Sequence, residues 1–341
     1  MQTTRIVVVG YGRWGRVCHA PLIRMTPGLE LVGVVSGDGA KREQIRADLG
    51  VQAYENLDQV LADESVDAVV LATPNDTHAD YSIRALNAGK HVVTDKPMCL
   101  SLAECDAMIE AANRAQKVLT VFQNRRRDGD FLTLQNLIQD GELGDVRWIE
   151  MAWQGFKAPG GWRGKAEQGG GRFLDLGAHL IDQMLLFFPQ PIESVYFRTA
   201  FDFAQSEVES EAFLVLGFEG GATGVCDMSS LAAISKPRFY ARGTGGTWLK
   251  SGLDPQEAAL IAGNIDSAAE NPETFGRLKN GDGERIVPTQ AGRWRDFYEN
   301  FAAAVAGEAA PMVKLSEARR LVAVFEAARR SAREGQVVGL E

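Results

Sequence analysis

The stretch IVVVGYGRWG, Ile6 to Gly15, constrains this chain more than any other. Four β-branched residues in succession suit a strand buried on both faces, and glycines at 10, 12 and 15 follow where a helical pattern begins. In that setting each glycine has its own use. Gly10 permits a tight turn, Gly12 lets backbone approach a pyrophosphate, and Gly15 lets helix and strand pack closely. The helix N-terminus then offers its N–H groups and partial positive charge to phosphate. Gly10, Tyr11, Gly12, Arg13, Trp14 and Gly15 are therefore candidate dinucleotide contacts.

Short apolar runs and amphipathic segments alternate after this turn. Strands are expected near 5–9, 31–35, 51–54, 67–72, 91–94 and 118–122, with helices at 13–26, 40–48, 57–62, 77–88 and 101–115. That order predicts an α/β, doubly wound parallel sheet over residues 1–122, a Rossmann domain. Beyond it the pattern lengthens and strands follow one another, at 146–156, 192–201, 211–218, 222–231 and 237–244, with helices at 129–140, 173–187, 290–306 and 316–333. Residues 123–341 are expected to form an α+β domain with an open, mainly antiparallel sheet. Its second face would need cover, which predicts a homodimer or homotetramer built through this sheet.

Composition excludes several classes. A net charge of −9 opposes binding to a phosphate backbone, so nucleic acid is not an expected partner. Neither a secretion leader nor a run long enough to cross a bilayer is visible, so the expected location is the cytoplasm, without a membrane partner. Cys18, Cys99, Cys105 and Cys226 are scattered without a CxxC pair and the chain has only 4 histidines, so no metal site is expected.

The ends of later strands carry further candidates. Ser36 stands 21 residues past Gly15, where NAD-preferring domains usually place an acid for the ribose 2′-OH. Without that carboxylate, and with Lys41 and Arg42 beginning the next helix, NADP is expected over NAD, although Asp38 lies close enough to reach a ribose. In ATPNDTH, Thr73, Pro74, Asn75 and His78 follow the fourth strand at the ligand edge of such a sheet. In HVVTDKP, Asp95 and Lys96 follow the fifth, and Pro97 holds Lys96 away from the α region; a cis peptide there would aim its side chain toward the nicotinamide. In GGGRFLDLGAHLIDQ, Asp175 and His179 are spaced to share a helix face with Asp182 nearby, and Gly177 inside the helix suggests that a ligand approaches its backbone.

Together GYGRWG, ATPNDTH, DKP and DLGAHLID resemble, in order and spacing, the glucose–fructose oxidoreductase, inositol dehydrogenase and rhizopine-catabolism (Gfo/Idh/MocA) family. CHAPLI (18–23), VFQNRRRDGDFLTL (121–134), GWR (161–163) and SGLDPQE (251–257) are similar to the branch that holds NADP-dependent scyllo-inositol dehydrogenase. The resemblance implies hydride exchange between NADP and a secondary alcohol or ketone of a cyclic polyol or sugar, an inositol first. It implies Lys96, Asp175 and His179 as the catalytic set; Asp95 stands where the family more often has Glu. Arg125, Trp162 and Arg163 are expected, with Lys96, Asp175 and His179, to contact substrate; Arg126 and Arg127 adjoin them. Two other activities exist on this fold: a glycoside hydrolase that retains NAD, and a dinucleotide- or sugar-sensing regulator.

Overall fold

The protein is described by a computed structural model that covers residues 3–340. It divides into two units: residues up to Gln123 with Trp294–Arg319, and Asn124–Arg293 with the chain from Arg320 onward. The continuous second domain expected at 123–341 is therefore interrupted, because the chain returns to the first unit for 26 residues.

The first unit holds a six-stranded parallel sheet made of β1 (Thr4–Val9), β2 (Leu29–Val35), β3 (Gln52–Tyr54), β4 (Ala68–Leu71), β5 (His91–Thr94) and β6 (Leu119–Val121). The strand order is β3-β2-β1-β4-β5-β6, with every pairing parallel. This is the doubly wound Rossmann order, whose ligand crevice lies outside the carboxyl ends where the order reverses, between β1 and β4. Ile6, Val7, Val8, Val69, Val70, Leu71, Val92 and Val93 are all fully buried, as central parallel strands require.

The first helix differs from the regular one expected at 13–26. A π-helical turn, Gly15–His19, runs into α1 (Ala20–Arg24), and Ala20 N–H donates to Gly15 O. Pro21 has no N–H to give, and the wider turn absorbs that loss while packing Cys18 and His19 inward. The next helices are α2 (Gly39–Leu49), α3 (Leu57–Leu61), α4 (His78–Asn87) and α5 (Leu102–Ala115).

Aromatic packing explains the returning segment. Its helix, Arg295–Val305, starts five residues later than expected and seats Phe297 edge-on against Phe122 (4.9 Å) and Tyr298 beside His19. Trp294, just before it, lies 6.3 Å from Trp14 and is fully buried.

The second unit holds an eight-stranded sheet: β7 (Val146–Gln154), β8 (Ile192–Ala200), β9 (Glu211–Phe218), β10 (Thr223–Ser229), β11 (Phe239–Gly243), β12 (Gly246–Lys250), β13 (Gly276–Asn280) and β14 (Gly283–Val287). The order is β14-β13-β12-β11-β7-β10-β9-β8, antiparallel except where β7 meets β10. β12, β13 and β14 were not legible in sequence. β14 is almost wholly exposed, so it carries no apolar alternation, and the polar turn NGDG joins it to β13.

Helices α6 (Gly129–Gln139), α7 (Arg172–Asp175), α8 (Gly177–Phe187) and α9 (Gln256–Ile261) belong to this unit. The Arg295–Val305 helix is α10, and the last helix, α11 (Leu315–Glu334), crosses the division at Arg319. β9 alternates strictly, burying Ala212, Leu214, Leu216 and Phe218, and α8 packs so closely that a Cβ on Gly224 would meet the Met184 side chain. The helix expected at 173–187 is divided by a turn at Leu176, whose carbonyl accepts from His179 N–H at 3.1 Å.

Candidate active site

The carboxyl ends of the parallel strands are tied into a row. Gly10 N–H donates to Val35 O, Ala72 N–H to Val9 O, Asp95 N–H to Leu71 O and Phe122 N–H to Thr94 O, at 2.8–3.2 Å. The turn after β1, Ser36, Thr73 and the Asp95–Lys96 turn therefore share one edge of the sheet.

The three glycines of the first turn separate by what surrounds them. Gly10 has φ 102°, and a Cβ there would meet Ala72 O at 2.5 Å; a Cβ on Gly15 would fall on Gly10 O. A Cβ on Gly12 meets nothing within 4 Å. Gly10 and Gly15 are thus required by the protein itself, whereas the open space at Gly12 fits the approach of a pyrophosphate to bare backbone. Gly12→Ala is expected to weaken dinucleotide affinity about 10- to 100-fold, the usual effect of overpacking, at an unchanged melting temperature. Gly15→Ala should lower the melting temperature instead, and a fluorescence titration of each variant beside thermal unfolding separates the two.

Tyr11 and Trp14 are half-buried in this turn and Arg13 is exposed. At the end of β2, Asp38 Oδ1 caps α2, accepting from Ala40 N (3.0 Å) and Lys41 N (3.3 Å). Arg42 donates from Nη1 to Ser36 O at 2.8 Å, and Lys41 is exposed. After β4, Thr73 Oγ1 pairs with Thr77 Oγ1 at 2.6 Å, Pro74 is half-buried and Asn75 is buried.

His78, expected as a cofactor contact, is instead fully buried, with Nδ1 2.8 Å from Pro97 O and Nε2 3.1 Å from Thr73 O. Burial pulls its pKa below the usual value, against the opposing pull of the Pro97 carbonyl and Asp95. It fastens the turn after β5 to the turn after β4. The Lys96–Pro97 peptide is cis, and Lys96 N–H donates to Asp95 Oδ1 at 2.8 Å.

In the second unit, Asp175 ends α7 and accepts from Arg163 Nε at 3.1 Å, and the Arg163 guanidinium lies 4.6 Å from the Trp162 ring. His179, in α8, is 6% exposed and stacks on Trp153 at 5.7 Å. Leu176, between the two helices, keeps right-handed helical angles (φ −95°, ψ −37°). Gly177 does not await a ligand: a Cβ there would meet Met228 Sδ and Phe173. The glycines before α7 likewise answer to the protein, Gly170 to Arg163 O and Gly171, with φ 107°, to the Glu209 carboxylate.

Arg125, expected to contact substrate, is 3% exposed and held by Asp128 (3.1 Å) and Glu257 (2.7 Å), with its guanidinium 4.3 Å from the Trp153 ring. Two carboxylates and an aromatic face make a buried guanidinium affordable where a lone one would not be. Its neighbour Arg126 grips Asp182 with both arms, Nε to Oδ2 at 2.7 Å and Nη2 to Oδ1 at 2.6 Å. NRRR is thus an internal clamp, and Arg127 is half-buried. Trp153, against which Arg125, Arg238 and His179 all lie, went unnoticed in sequence because a lone tryptophan at a strand end carries no pattern.

Comparison with known proteins agrees with this geometry. The family model "Oxidoreductase family, NAD-binding Rossmann fold" matches residues 4–123, and "GFO/IDH/MocA C-terminal domain" matches residues 131–249. The chain is 28% identical to scyllo-inositol 2-dehydrogenase (NADP(+)) of Bacillus subtilis, over 100% of this chain and 97% of that one. It is 27% identical to scyllo-inositol 2-dehydrogenase (NAD(+)) of the same organism, over 99% and 96%. A crystal structure of an oxidoreductase from Klebsiella pneumoniae superposes with a TM-score of 0.90 at 35% identity, covering 100% of this chain and 96% of that one. With its strand order, its glycine turn and both matched domains, the chain belongs to the Gfo/Idh/MocA oxidoreductase family and is an NAD(P)-dependent dehydrogenase.

Proposed function

We propose that the protein is an NADP-dependent oxidoreductase exchanging hydride with a secondary alcohol or ketone of a cyclic polyol or sugar, an inositol being the first candidate. The end of β2 carries the choice of cofactor. Ser36 offers no carboxylate, Asp38 is committed to capping α2, and Arg42 holds its positive charge against the Ser36 carbonyl. A 2′-phosphate is attracted by such an edge, whereas an unengaged acid would repel it. The substrate class rests on the inositol dehydrogenases among the relatives.

Bound nicotinamide supplies the hydride acceptor or donor at C4. The chain does the rest. His179 takes the hydroxyl proton as the alcohol is oxidised and returns it in reduction, and Lys96 hydrogen-bonds the same oxygen and steadies developing negative charge. Asp175 sets the orientation of the Arg163 guanidinium beside Trp162 for a polyhydroxylated ligand. A homo-oligomer through the second sheet is part of the reading: the register aligns Tyr196, Val215, Val225, Glu150, Tyr240 and Leu249 in one row, all but Val225 half-exposed.

The test is a panel of inositols, aldoses and sugar acids assayed by nicotinamide absorbance, with NADP and NAD in parallel. At least one cyclic polyol should turn over, with kcat/KM about tenfold or more higher with NADP. A clear NAD preference would overturn the reading of Ser36. Release of a glycoside's aglycone without net cofactor turnover would overturn the reaction itself.

A further inference from the structure

His19 belongs to no motif of dinucleotide binding, yet it is one of the most completely enclosed polar groups of the first unit. Its ring is fully buried, packed 4.5 Å from Phe122 and set edge-on to Tyr298. Tyr298 Oη lies 2.6 Å from Nδ1, across 279 residues of sequence, and Nε2 faces Asp95 Oδ2 at 3.5 Å. Asp95 in turn accepts the Lys96 N–H through its other oxygen.

Direction follows from chemistry. Burial pushes the Tyr298 phenol well above its ordinary pKa, so it stays protonated and donates to Nδ1. With Nδ1 accepting from Tyr298, the donor that faces the Asp95 carboxylate is Nε2–H. The contact at 3.5 Å is long, as hydrogen bonds around a reactive group often are before substrate is bound.

We propose that His19 and Tyr298 are positioning residues for catalysis: a buried Tyr298–His19–Asp95 chain holds the Asp95 carboxylate, and through it the backbone that carries Lys96. The inference rests on the reading that Lys96 acts on substrate. It also explains why the chain returns to the first unit, since α10 supplies the donor at one end of the relay.

The groups facing Asp95 are His19 from the π-helical turn, His78 from α4 and its neighbour Lys96; Cys18 and Asp95 act on Tyr298. Burial raises the Asp95 pKa, but His19 and then Lys96 outweigh it, and the carboxyl lies below its usual range. Removing the His19 donor therefore moves the Asp95 pKa upward, and the acid side of the kcat profile should move upward with it.

The experiment compares His19→Leu, His19→Gln and Tyr298→Phe in the full-length enzyme, scoring kcat, cofactor KM and the pH profile of kcat. His19→Leu should lower kcat about tenfold, the scale of a small misplacement, and raise the acid limb by about one pH unit, with cofactor KM unchanged. Gln, whose amide NH2 occupies the place of Nε2–H, should restore both, and Tyr298→Phe should fall between. Equal losses in Leu and Gln variants, or an unmoved acid limb in Tyr298→Phe, would overturn the proposal, as would a change confined to melting temperature. If Lys96→Ala still turns over, the reading of Lys96 fails; if it is inactive while His19→Leu is normal, only the present inference fails.

Discussion

Replacement of Lys96 by alanine is expected to lower kcat about 10²- to 10⁴-fold, the range for loss of a positioned proton-handling group, while cofactor affinity stays nearly intact. The turn that carries Lys96 has backbone anchors of its own. Its backbone is held by Asp95 through the Lys96 N–H, by His78 against Pro97 O, and by the Asp95 N–H to Leu71 O. The pyrophosphate turn lies on β1, two strands from β5, and does not use the ammonium. Loss therefore falls on the chemical step. Lys96→Arg should also be poor, because a guanidinium is planar and wider than an ammonium and cannot place a donor at the same point. Steady-state kinetics beside a fluorescence titration of NADPH checks both halves, and unchanged turnover in Lys96→Ala would refute the assignment.

The second large effect concerns stability. Arg126→Met should destabilise the protein by about 3–5 kcal/mol, because it takes both guanidinium arms away from the buried Asp182 carboxylate. The pair has ideal fork geometry, and the two side chains are only 7% and 4% exposed. With a few degrees of melting temperature per kcal/mol, the midpoint should fall by roughly 10 °C. The double variant Arg126→Met, Asp182→Leu should recover most of that loss, since an apolar pair leaves no uncompensated charge. Thermal unfolding followed by circular dichroism measures both, and a double variant no better than the single one would mean that the two charges are not coupled.

The first domain was legible because parallel strands buried on both faces must be continuous apolar runs, and because the turns at their carboxyl ends draw on a narrow choice of residues. IVVV, VVL and HVVT fell where expected, and so did GYGRWG, ATPND and DKP. The second sheet was half legible: β9 shows strict alternation, whereas edge strand β14 has no buried face from which alternation could arise. Gly177, read in sequence as a ligand approach, proved to be a place where the protein meets itself. A glycine reports that something comes close, and not what.

The sequence by itself therefore determined the doubly wound sheet and the glycine turn at the carboxyl edge of its first strand, since each is encoded within a few neighbouring residues. Only the tertiary structure decided that Arg125 and His78 serve the frame, that Asp38 is spent on a helix cap, that Trp153 flanks His179, and that Tyr298 stands behind His19. Those roles depend on partners up to 279 residues away or on a neighbour's backbone N–H, and the burial that makes a partner obligatory leaves no local periodicity from which to infer it.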